Sequence, residues 1–276
     1  MKVNLHTHST VSDGKLSPNE LVSRLHQDGV EIFALTDHDK LDGLPEAQKR
    51  ANELGIKLIN GIEITTRIFD INIPFLDESV FTLHMLGLNF DYNQLLGIYR
   101  EIDALKAEKL RKLNQKLIDN GYAIPKFEHI TRRVTLAKAL VQCGYSKDED
   151  TAFENIINPL YERWSDSVGV KTAVKMIHNA GGKLLWAHPF EILQNVQKYT
   201  LSESQIDYIA DQLKLQGVDG IEVYYQKYNS NQVKFLKTIQ KKYDFISSAG
   251  TDYHAKDSQP TTFIDIDHSL IQEVLK

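Results

Sequence analysis

Short apolar segments recur along the chain, and the first of them alternates strictly with polar residues. Val3 and Leu5 alternate with Asn4 and His6, a period of two that predicts a strand. Further apolar segments predict strands at residues 31–36, 56–60, 80–87, 183–187, 220–223 and 244–248, and a last strand and helix at 262–276. Between most of them, apolar residues at helical spacing followed by glycine predict helices. This alternation is typical of a parallel α/β sheet or barrel, in which the active site lies at the carboxyl ends of the strands.

The alternation is interrupted in the middle of the chain. Apolar residues at helical spacing predict one long and two short helices there, at residues 91–120, 135–142 and 149–157. We therefore expect one barrel domain built from residues 1–91 and 168–276, with residues 92–167 forming a helical insertion over its mouth.

The composition is that of a globular protein with a full-sized core: 276 residues, 42% hydrophobic and 25% charged. With a net charge of −5, the bulk surface offers no basic field for long nucleic acid or an anionic membrane, although a local basic pocket is compatible with it. The single cysteine, Cys143, excludes an intrachain disulfide and a cysteine-rich zinc module. Without a secretory leader or an apolar run of about 18 residues, a cytoplasmic location is expected.

Side chains of the metal-ligand type stand at or just after the predicted strands. His6 and His8 share a strand face, and Asp13 follows them after a short polar turn. Taken singly, such residues have structural explanations: a His-x-His pair can lie on the surface, and a lone histidine such as His84 is commonly a core residue. Collected along the chain, they are His6, His8, Asp13, His38, Glu63, His84, His188, Asp252 and His254. So many nitrogen and oxygen ligands without cysteine suit two or three ions such as Mn²⁺, Fe²⁺ or Zn²⁺.

Such a centre predicts hydrolysis of a phosphate ester. Metal ions about 3.5–4 Å apart share a bridging hydroxide that acts as nucleophile at neutral pH, so no protein nucleophile is needed. The predicted insertion adds Arg132 and Arg133, adjacent guanidinium groups at a helix entry that suit a phosphate. Glu222, in the strand at 220–223, is expected to have a structural hydrogen-bonding role.

These residues stand in motifs that resemble the polymerase-and-histidinol-phosphatase (PHP) family of phosphoesterases. In chain order the motifs are His6-x-His8 with Asp13-Gly14, Thr36-Asp37-His38-Asp39, Gly61-Ile62-Glu63, His84-Met85-Leu86-Gly87, Ala187-His188-Pro189 and Gly250-Thr251-Asp252-Tyr253-His254. The resemblance implies an α/β fold, a distorted seven-stranded TIM-like barrel with a helical insertion. Gly181-Gly182 and the segment 217–223 are most similar to the subgroup of nucleoside 3′,5′-bisphosphate phosphatases, whose members also trim short RNA from the 5′ end.

The resemblance also implies how the ligands divide among three metal sites. The first would use His6, His8, Glu63 and Asp252; the second would share Glu63 and add His84 and His188; the third would use Asp13, His38 and His254. Asp37 would orient a histidine rather than bind a metal. Mn²⁺ is the ion that we expect first, with Fe²⁺ or Zn²⁺ as alternatives.

The insertion departs from the subgroup. Relatives have an Arg-Pro-His-like motif at a helix entry, whereas this chain has Arg133-Val134-Thr135, so the guanidinium is kept and Thr135 replaces the imidazole. The stretch Val168-Gly169-Val170 also lacks the usual lysine-bearing loop. We expect these changes to affect the choice of substrate and not the hydrolytic chemistry.

The sequence therefore predicts a metal-dependent phosphomonoesterase acting on a small phosphorylated substrate, in the first place a nucleoside 3′,5′-bisphosphate. One alternative is a 5′-3′ exonuclease or cyclic phosphodiesterase on short oligonucleotides, which Tyr224, Tyr225 and Tyr228 would favour if they stacked on bases rather than packed in the core. Another is a histidinol phosphatase. A catalytically silent metal-binding domain is an alternative of a different class, and the complete ligand set argues against it.

Overall fold

The computed structural model of the chain describes residues 1–77, 81–128, 130, 133–160, 168–194, 197–256 and 261–276. Its strands are β1 (Lys2–Thr7), β2 (Ile32–Leu35), β3 (Lys57–Arg67), β4 (Phe81–Leu88), β5 (Val168–Gly169), β6 (Lys183–Trp186), β7 (Glu191–Gln194), β8 (Gln197–Thr200), β9 (Gly220–Tyr225), β10 (Ile246–Gly250) and β11 (Ile264–Asp265). Its helices are α1 (Pro18–Gln27), α2 (Leu44–Leu54), α3 (Tyr92–Asp119), α4 (Val134–Gln142), α5 (Glu149–Ala152), α6 (Asn158–Leu160), α7 (Val170–Asn179), α8 (Glu203–Leu215) and α9 (Ser230–Lys242). A π-helical turn, Phe153–Ile157, joins α5 to α6, and two 3-10 turns follow β11 at His268–Leu270 and Gln272–Leu275. Within the described ranges, no helix combines the length and the apolar character needed to cross a membrane.

The chain divides into two compact units. One combines Met1–Leu95 with Val168–Lys276 and contains the strands, and the other comprises Leu96–Ser167. The second unit has an apolar core of its own, to which α3 contributes Leu113 and Leu117 and α4 contributes Leu136, Leu140 and neighbouring residues. Residues 161–167, which end the predicted insertion, lie outside the described residues.

Seven strands of the first unit form a nearly closed barrel. Their order is β1, β2, β3, β4, β6, β9 and β10, each hydrogen-bonded to the next. The chain after β10 returns to β1, where the His8 N–H donates to the Tyr253 carbonyl at 2.8 Å and the Tyr253 N–H donates to the His6 carbonyl at 3.2 Å. The predicted seven-stranded TIM-like barrel is therefore confirmed.

The direction of β4 differs from the parallel arrangement that the alternation predicts. β1, β2 and β3 run parallel, as do β6, β9 and β10, but β4 is antiparallel to both β3 and β6. Parallel neighbours need a crossover, usually a helix, whereas residues 68–77, the described part of the connection before β4, contain only turns and irregular backbone. The first half of β4 consequently lies at the end of the barrel where the parallel strands finish.

Three of the helices in the first unit, α1, α8 and α9, begin at side chains that cap them. At the start of α1, Ser17 accepts a hydrogen bond from the Glu20 N–H, and Glu20 accepts one from the Ser17 N–H at 2.8 Å. Ser202 and Asn229 form the same reciprocal pairs at the starts of α8 and α9. These caps satisfy backbone donors that the helix cannot pair internally, and so they fix where each helix begins.

The barrel strands share one apolar cluster. Its buried members include Val3, Leu5, Ile32, Ala34, Ile59, Leu86, Leu88, Leu185 and Ala249. Ile271 and Val274 of the C-terminal turns join the same cluster. Each fully buried side chain of this size stabilises the fold by about 1.5–3 kcal/mol, so the strands form a rigid frame for polar side chains at their ends.

Asn4 closes the seam between the first and last barrel strands. Its fully buried side-chain amide donates to Thr251 Oγ1 at 2.8 Å and to the Thr262 carbonyl at 2.9 Å. Its side-chain oxygen accepts from the N–H groups of Thr251 at 3.0 Å and His6 at 3.1 Å. One side chain therefore replaces part of a backbone ladder at this seam.

We expect Asn4→Ala to lower the free energy of unfolding by about 2–5 kcal/mol, because it leaves two backbone donors and two acceptors buried without their partners. Urea unfolding followed by circular dichroism measures the change. Asn52→Ala, at an exposed position of α2, is the matched control and should change stability by no more than about 0.5 kcal/mol. Equal effects of the two substitutions would contradict the role of Asn4 in the seam.

Candidate metal centre

Glu63 in β3 is the centre of a polar cluster at the end of the barrel where the parallel strands finish. Its side chain is fully buried, and the register of β3 and β4 sets Thr65 opposite His84, so Glu63 and His84 are diagonal neighbours on one face. Both carboxylate oxygens face imidazoles. Oε2 lies 3.1 Å from each of His6 Nε2, His8 Nε2 and His38 Nδ1, and Oε1 lies 2.8 Å from His84 Nδ1 and 3.2 Å from His188 Nε2.

Four atoms in this cluster are buried and make no hydrogen bond. They are His6 Nε2, His8 Nε2, His38 Nδ1 and Glu63 Oε2. Buried polar atoms in proteins are nearly always hydrogen-bonded, so four such atoms that face one another without partners indicate a ligand-binding site. Ligand atoms at about 2.0–2.2 Å from one ion stand about 2.8–3.1 Å apart in octahedral and about 3.3–3.6 Å apart in tetrahedral geometry. The three nitrogens here lie 3.1 Å from one oxygen. The residues present therefore fit a divalent metal ion.

The ligand-type atoms form three overlapping groups, and within each group all of these atoms lie within 4.8 Å of one another. The groups are His6, His8, Glu63 and Asp252; His38, Glu63 and His84; and His8, Asp13, His38 and His254. The first has the four residues expected for the first site. In the second, His38 stands where the resemblance implies His188, whose Nε2 instead approaches Glu63 Oε1 at 3.2 Å. The third contains the three expected residues and His8 in addition.

Hydrogen bonds behind the rings fix which nitrogen faces the cluster. His188 Nδ1 lies 2.9 Å from the Glu191 carbonyl, and His254 Nδ1 lies 2.8 Å from the Asp252 carbonyl. A carbonyl oxygen only accepts, so each Nδ1 carries the hydrogen and each Nε2 presents its lone pair to the cluster. Neutral imidazoles in this tautomer are suited to metal binding.

Asp37 lies outside the three groups and orders the turn that follows β1. Its Oδ1 accepts from the Ser9 N–H and the Ser12 hydroxyl, and its Oδ2 accepts from the Ser9 hydroxyl, each at 2.7 Å. The Ser12 oxygen lies 3.5 Å from His8 Nδ1. This geometry supports the expectation that Asp37 orients a histidine, here through a serine.

Backbone strain accompanies the ligand-type residues at the strand ends. His188 has φ 29° and Asp252 has φ 51°, in the left-handed region that residues other than glycine rarely adopt. Such conformations cost about 1–3 kcal/mol each and cluster at functional sites. In both turns, after β6 and after β10, the strained residue is the one whose side chain points to the cluster.

The electrostatics are dominated by burial and by the carboxylates. Burial alone would lower the pKa of His8, but the close contacts of its ring with the carboxylates of Asp252 and Glu63 raise it to about 9. Burial, together with the charges of His8 and of a neighbouring imidazole, lowers the pKa of His38 to about 4 despite Glu63. Burial would raise the pKa of Asp13, yet the contact with His254 lowers it to about 2. The metal-free cluster thus keeps its carboxylates ionised and holds protons where cations would bind.

Of the two predicted substrate-binding residues, the structure describes only Arg133. Arg132 lies outside the described residues. Arg133 directly precedes α4, and its guanidinium carbon lies 5.9 Å from the centre of the Phe153 ring.

The structure also gives Tyr225 a role that was not expected. Its ring is buried and its hydroxyl donates to Asp252 Oδ2 at 3.2 Å. In a regular strand, Tyr225 and Glu222 would lie on opposite faces because they are three residues apart. Ser248 pairs with Glu222 and Ala249 with Tyr224, so one extra residue of β9 shifts the phase and both side chains reach the cluster. The order of residues gave no signal of this bulge.

Comparisons with known proteins agree on one family. The model of the PHP domain family matches residues 4–274. The chain is 32% identical over 266 residues to a 5′-3′ exoribonuclease of Haemophilus influenzae, covering 92% of this chain and 90% of that protein. It is 27% identical over 269 residues to a 3′,5′-nucleoside bisphosphate phosphatase of Chromobacterium violaceum, covering 92% and 87%. A solved amidohydrolase structure from Chromobacterium violaceum, with bound sulfate and no metal, matches with a TM-score of 0.64 and 25% identity over 97% of this chain and 92% of that one.

We expect metal binding to this cluster to strengthen with pH. The pKa of His8, raised from 6.5 to about 9, means that its proton stabilises the metal-free fold fully below pH 6.5 and is lost as pH rises toward 9. A metal ion binds only the neutral imidazole, so the affinity of the cluster for metal should increase over the same pH interval. The difference in Tm between Zn²⁺-loaded and chelator-treated protein should therefore grow between about pH 6.5 and pH 8.5.

His268→Ala is the matched control for this measurement, because His268 is exposed and lies outside the three groups. It should leave the pH dependence unchanged, whereas His8→Ala should flatten it. A difference in Tm that is constant over this pH interval in the unmodified protein would contradict the expectation.

Proposed function

The chain belongs to the PHP domain family and is a metal-dependent phosphoesterase, and we propose that it hydrolyses a phosphate monoester of a nucleotide, in the first place a nucleoside 3′,5′-bisphosphate. Cleavage of a phosphodiester in short RNA is the second candidate, because three relatives that match over more than nine-tenths of this chain are named 5′-3′ exoribonucleases. Both substrates present a nucleotide phosphate to the centre. They differ in whether the reacting phosphorus carries one or two ester oxygens.

The observation that carries the proposal is the group of four buried atoms without hydrogen bonds around Glu63. The nine ligand-type residues form one connected cluster around it, which supports a centre of two or three ions. Imidazole nitrogens and carboxylate oxygens without sulfur suit Mn²⁺, which we propose as the ion, with Fe²⁺ and Zn²⁺ as alternatives.

When bound, divalent ions supply Lewis acidity and an activated water for attack on phosphorus. The protein itself supplies charge and position. The carboxylates of Glu63, Asp252 and Asp13 offset the charge of the ions, and the hydrogen bond from Tyr225 holds Asp252 in its orientation. Glu63 is fully buried, whereas the side chain of Asp13 is 50% exposed, so we propose that the substrate phosphate approaches from the side of Asp13.

Arg133 is our proposal for the group that binds the second phosphate of a bisphosphate. A guanidinium pairs with phosphate oxygens through two parallel hydrogen bonds. Arg133 directly precedes a helix and lies against an aromatic ring, which restricts its side chain. The substrate-binding role is supported by this chemistry and by the family motif that contains the residue.

The first experiment measures phosphate release by Mn²⁺-loaded protein from adenosine 3′,5′-bisphosphate, AMP, histidinol phosphate and a 5′-phosphorylated RNA dinucleotide. We expect fastest release from the bisphosphate. His8→Ala should reduce it by at least about 100-fold, since it removes a ligand of the buried group, and His268→Ala should not.

Mononucleotide products formed from the dinucleotide would favour the exoribonuclease candidate. Failure of the loaded protein to act on any of the four substrates would contradict the proposed function.

A second prediction concerns substrate choice. Arg133→Ala should raise KM for the bisphosphate by about 10–100-fold, because it removes a charge-assisted contact worth about 1.5–3 kcal/mol, and should change kcat/KM for AMP by less than about threefold. Arg111→Ala, in the same helical unit and paired with Glu108, is the control. Equal losses for both substrates would show that Arg133 does not select the second phosphate.

A further inference from the structure

Glu222 is a fully buried carboxylate that lies outside the three ligand groups. Its Oε1 lies 3.1 Å from His6 Nδ1, and its Oε2 accepts a hydrogen bond from the His188 N–H at 2.8 Å. Both residues approach Glu63 through their Nε2 atoms. One side chain thus contacts two ligand-type residues, the ring of His6 in β1 and the backbone of His188 in the turn after β6.

We propose that Glu222 is the positioning residue of the metal centre: it fixes the tautomer of His6 and the backbone of His188 together, so that both Nε2 atoms face the metal. This inference deepens the proposed function, because it rests on the same metal centre. Glu222 itself is not a ligand in this proposal, since both of its oxygens are engaged by other hydrogen bonds.

The chemistry of the two contacts requires a carboxylate. A backbone N–H is always a donor, so Oε2 must accept from His188. An ionised carboxylate only accepts, so His6 Nδ1 must carry a hydrogen, which leaves the lone pair of Nε2 toward Glu63. An amide at this position has one acceptor and one donor end. If its oxygen accepts from the His188 N–H, its NH2 group faces His6 Nδ1 and favours the ring with the hydrogen on Nε2, which removes the lone pair from the side of Glu63.

The local backbone is shaped to allow this approach. A Cβ atom on Gly250 would lie 2.4 Å from the Cβ of His6 and 2.8 Å from Glu222 Oε1, so only glycine lets the two side chains meet. His188, with φ 29°, is held in its strained conformation by the bond from its N–H to Glu222. Strain and close packing at the same contact indicate that the position of Glu222 is specified by the fold.

The test compares Glu222→Gln with Asp28→Asn. Both change a carboxylate to an amide of nearly the same volume, but Asp28 makes its contacts with Arg24 and Thr262, outside the ligand cluster. Zn²⁺ affinity and stoichiometry are measured by competition with a chromophoric chelator, after circular dichroism has shown that each variant is folded. We expect Glu222→Gln to weaken Zn²⁺ binding by about 10–100-fold, the range for partners that orient metal ligands, and Asp28→Asn to leave it within about twofold.

A second measurement needs no variant. In Zn²⁺-loaded protein, which is diamagnetic, we expect a low-field proton resonance from His6 Nδ1–H bonded to Glu222, with a nitrogen shift typical of an Nδ1-protonated ring. Unchanged Zn²⁺ affinity in Glu222→Gln, or a His6 ring protonated at Nε2, would overturn the inference while leaving the metal centre intact. Failure of the unmodified protein to bind Zn²⁺ or Mn²⁺ would instead overturn the proposed function, and this inference with it.

Discussion

The buried charge of Glu63 is the constraint on which the rest of this structure depends. Removing a carboxylate from water costs several kcal/mol, and the cost is recovered only if positive charge and hydrogen bonds surround it. Five imidazoles lie within 3.2 Å of its two oxygens, yet Oε2 makes no hydrogen bond. In the metal-free protein the protons on His6 and His8, whose pKa values are raised by the surrounding carboxylates, contribute to meeting this need. The barrel must therefore bring five strands or strand ends to one point.

Departures from regular strand geometry occur where the barrel meets this requirement. β4 runs antiparallel, so that His84 in its first half reaches Glu63. β1 has an extra residue relative to β2 between Asn4 and Thr7, just before the second histidine of the pair. The turns that present His188 and Asp252 adopt positive φ. Bulges, strain and a reversed strand at one end of an otherwise regular barrel are the expected signs of a functional site.

The sequence was sufficient to place the seven barrel strands, and it singled out most ligand-type residues because His6, His8, His38, His188 and Asp252 stand at or just after the end of an apolar segment. Glu63 and His84 lie within β3 and β4 instead, and the short strands β5, β7 and β8 were not predicted. It did not predict the direction of β4, since an apolar strand has the same pattern in either direction. The contact of His38 with Glu63 through Nδ1 depends on ring orientation, which no pattern encodes. Tyr225 was missed because a single extra residue in β9 reverses which face it occupies.

The two histidines of the first motif are held by different carboxylates from different strands. Glu222 of β9 lies behind His6, and Asp37, which follows β2, lies behind His8 through Ser12. His6 in β1 and His8 directly after the end of β1 are therefore held by separate contacts, so the protein itself sets the position of both rings. Asp13 lies on the exposed side of the centre: its side chain is 50% exposed, and its Oδ1 lies 3.1 Å from His254 Nε2. The centre therefore has an enclosed side, where the buried atoms around Glu63 face one another, and a solvent-facing side at Asp13, from which we propose that the substrate phosphate approaches.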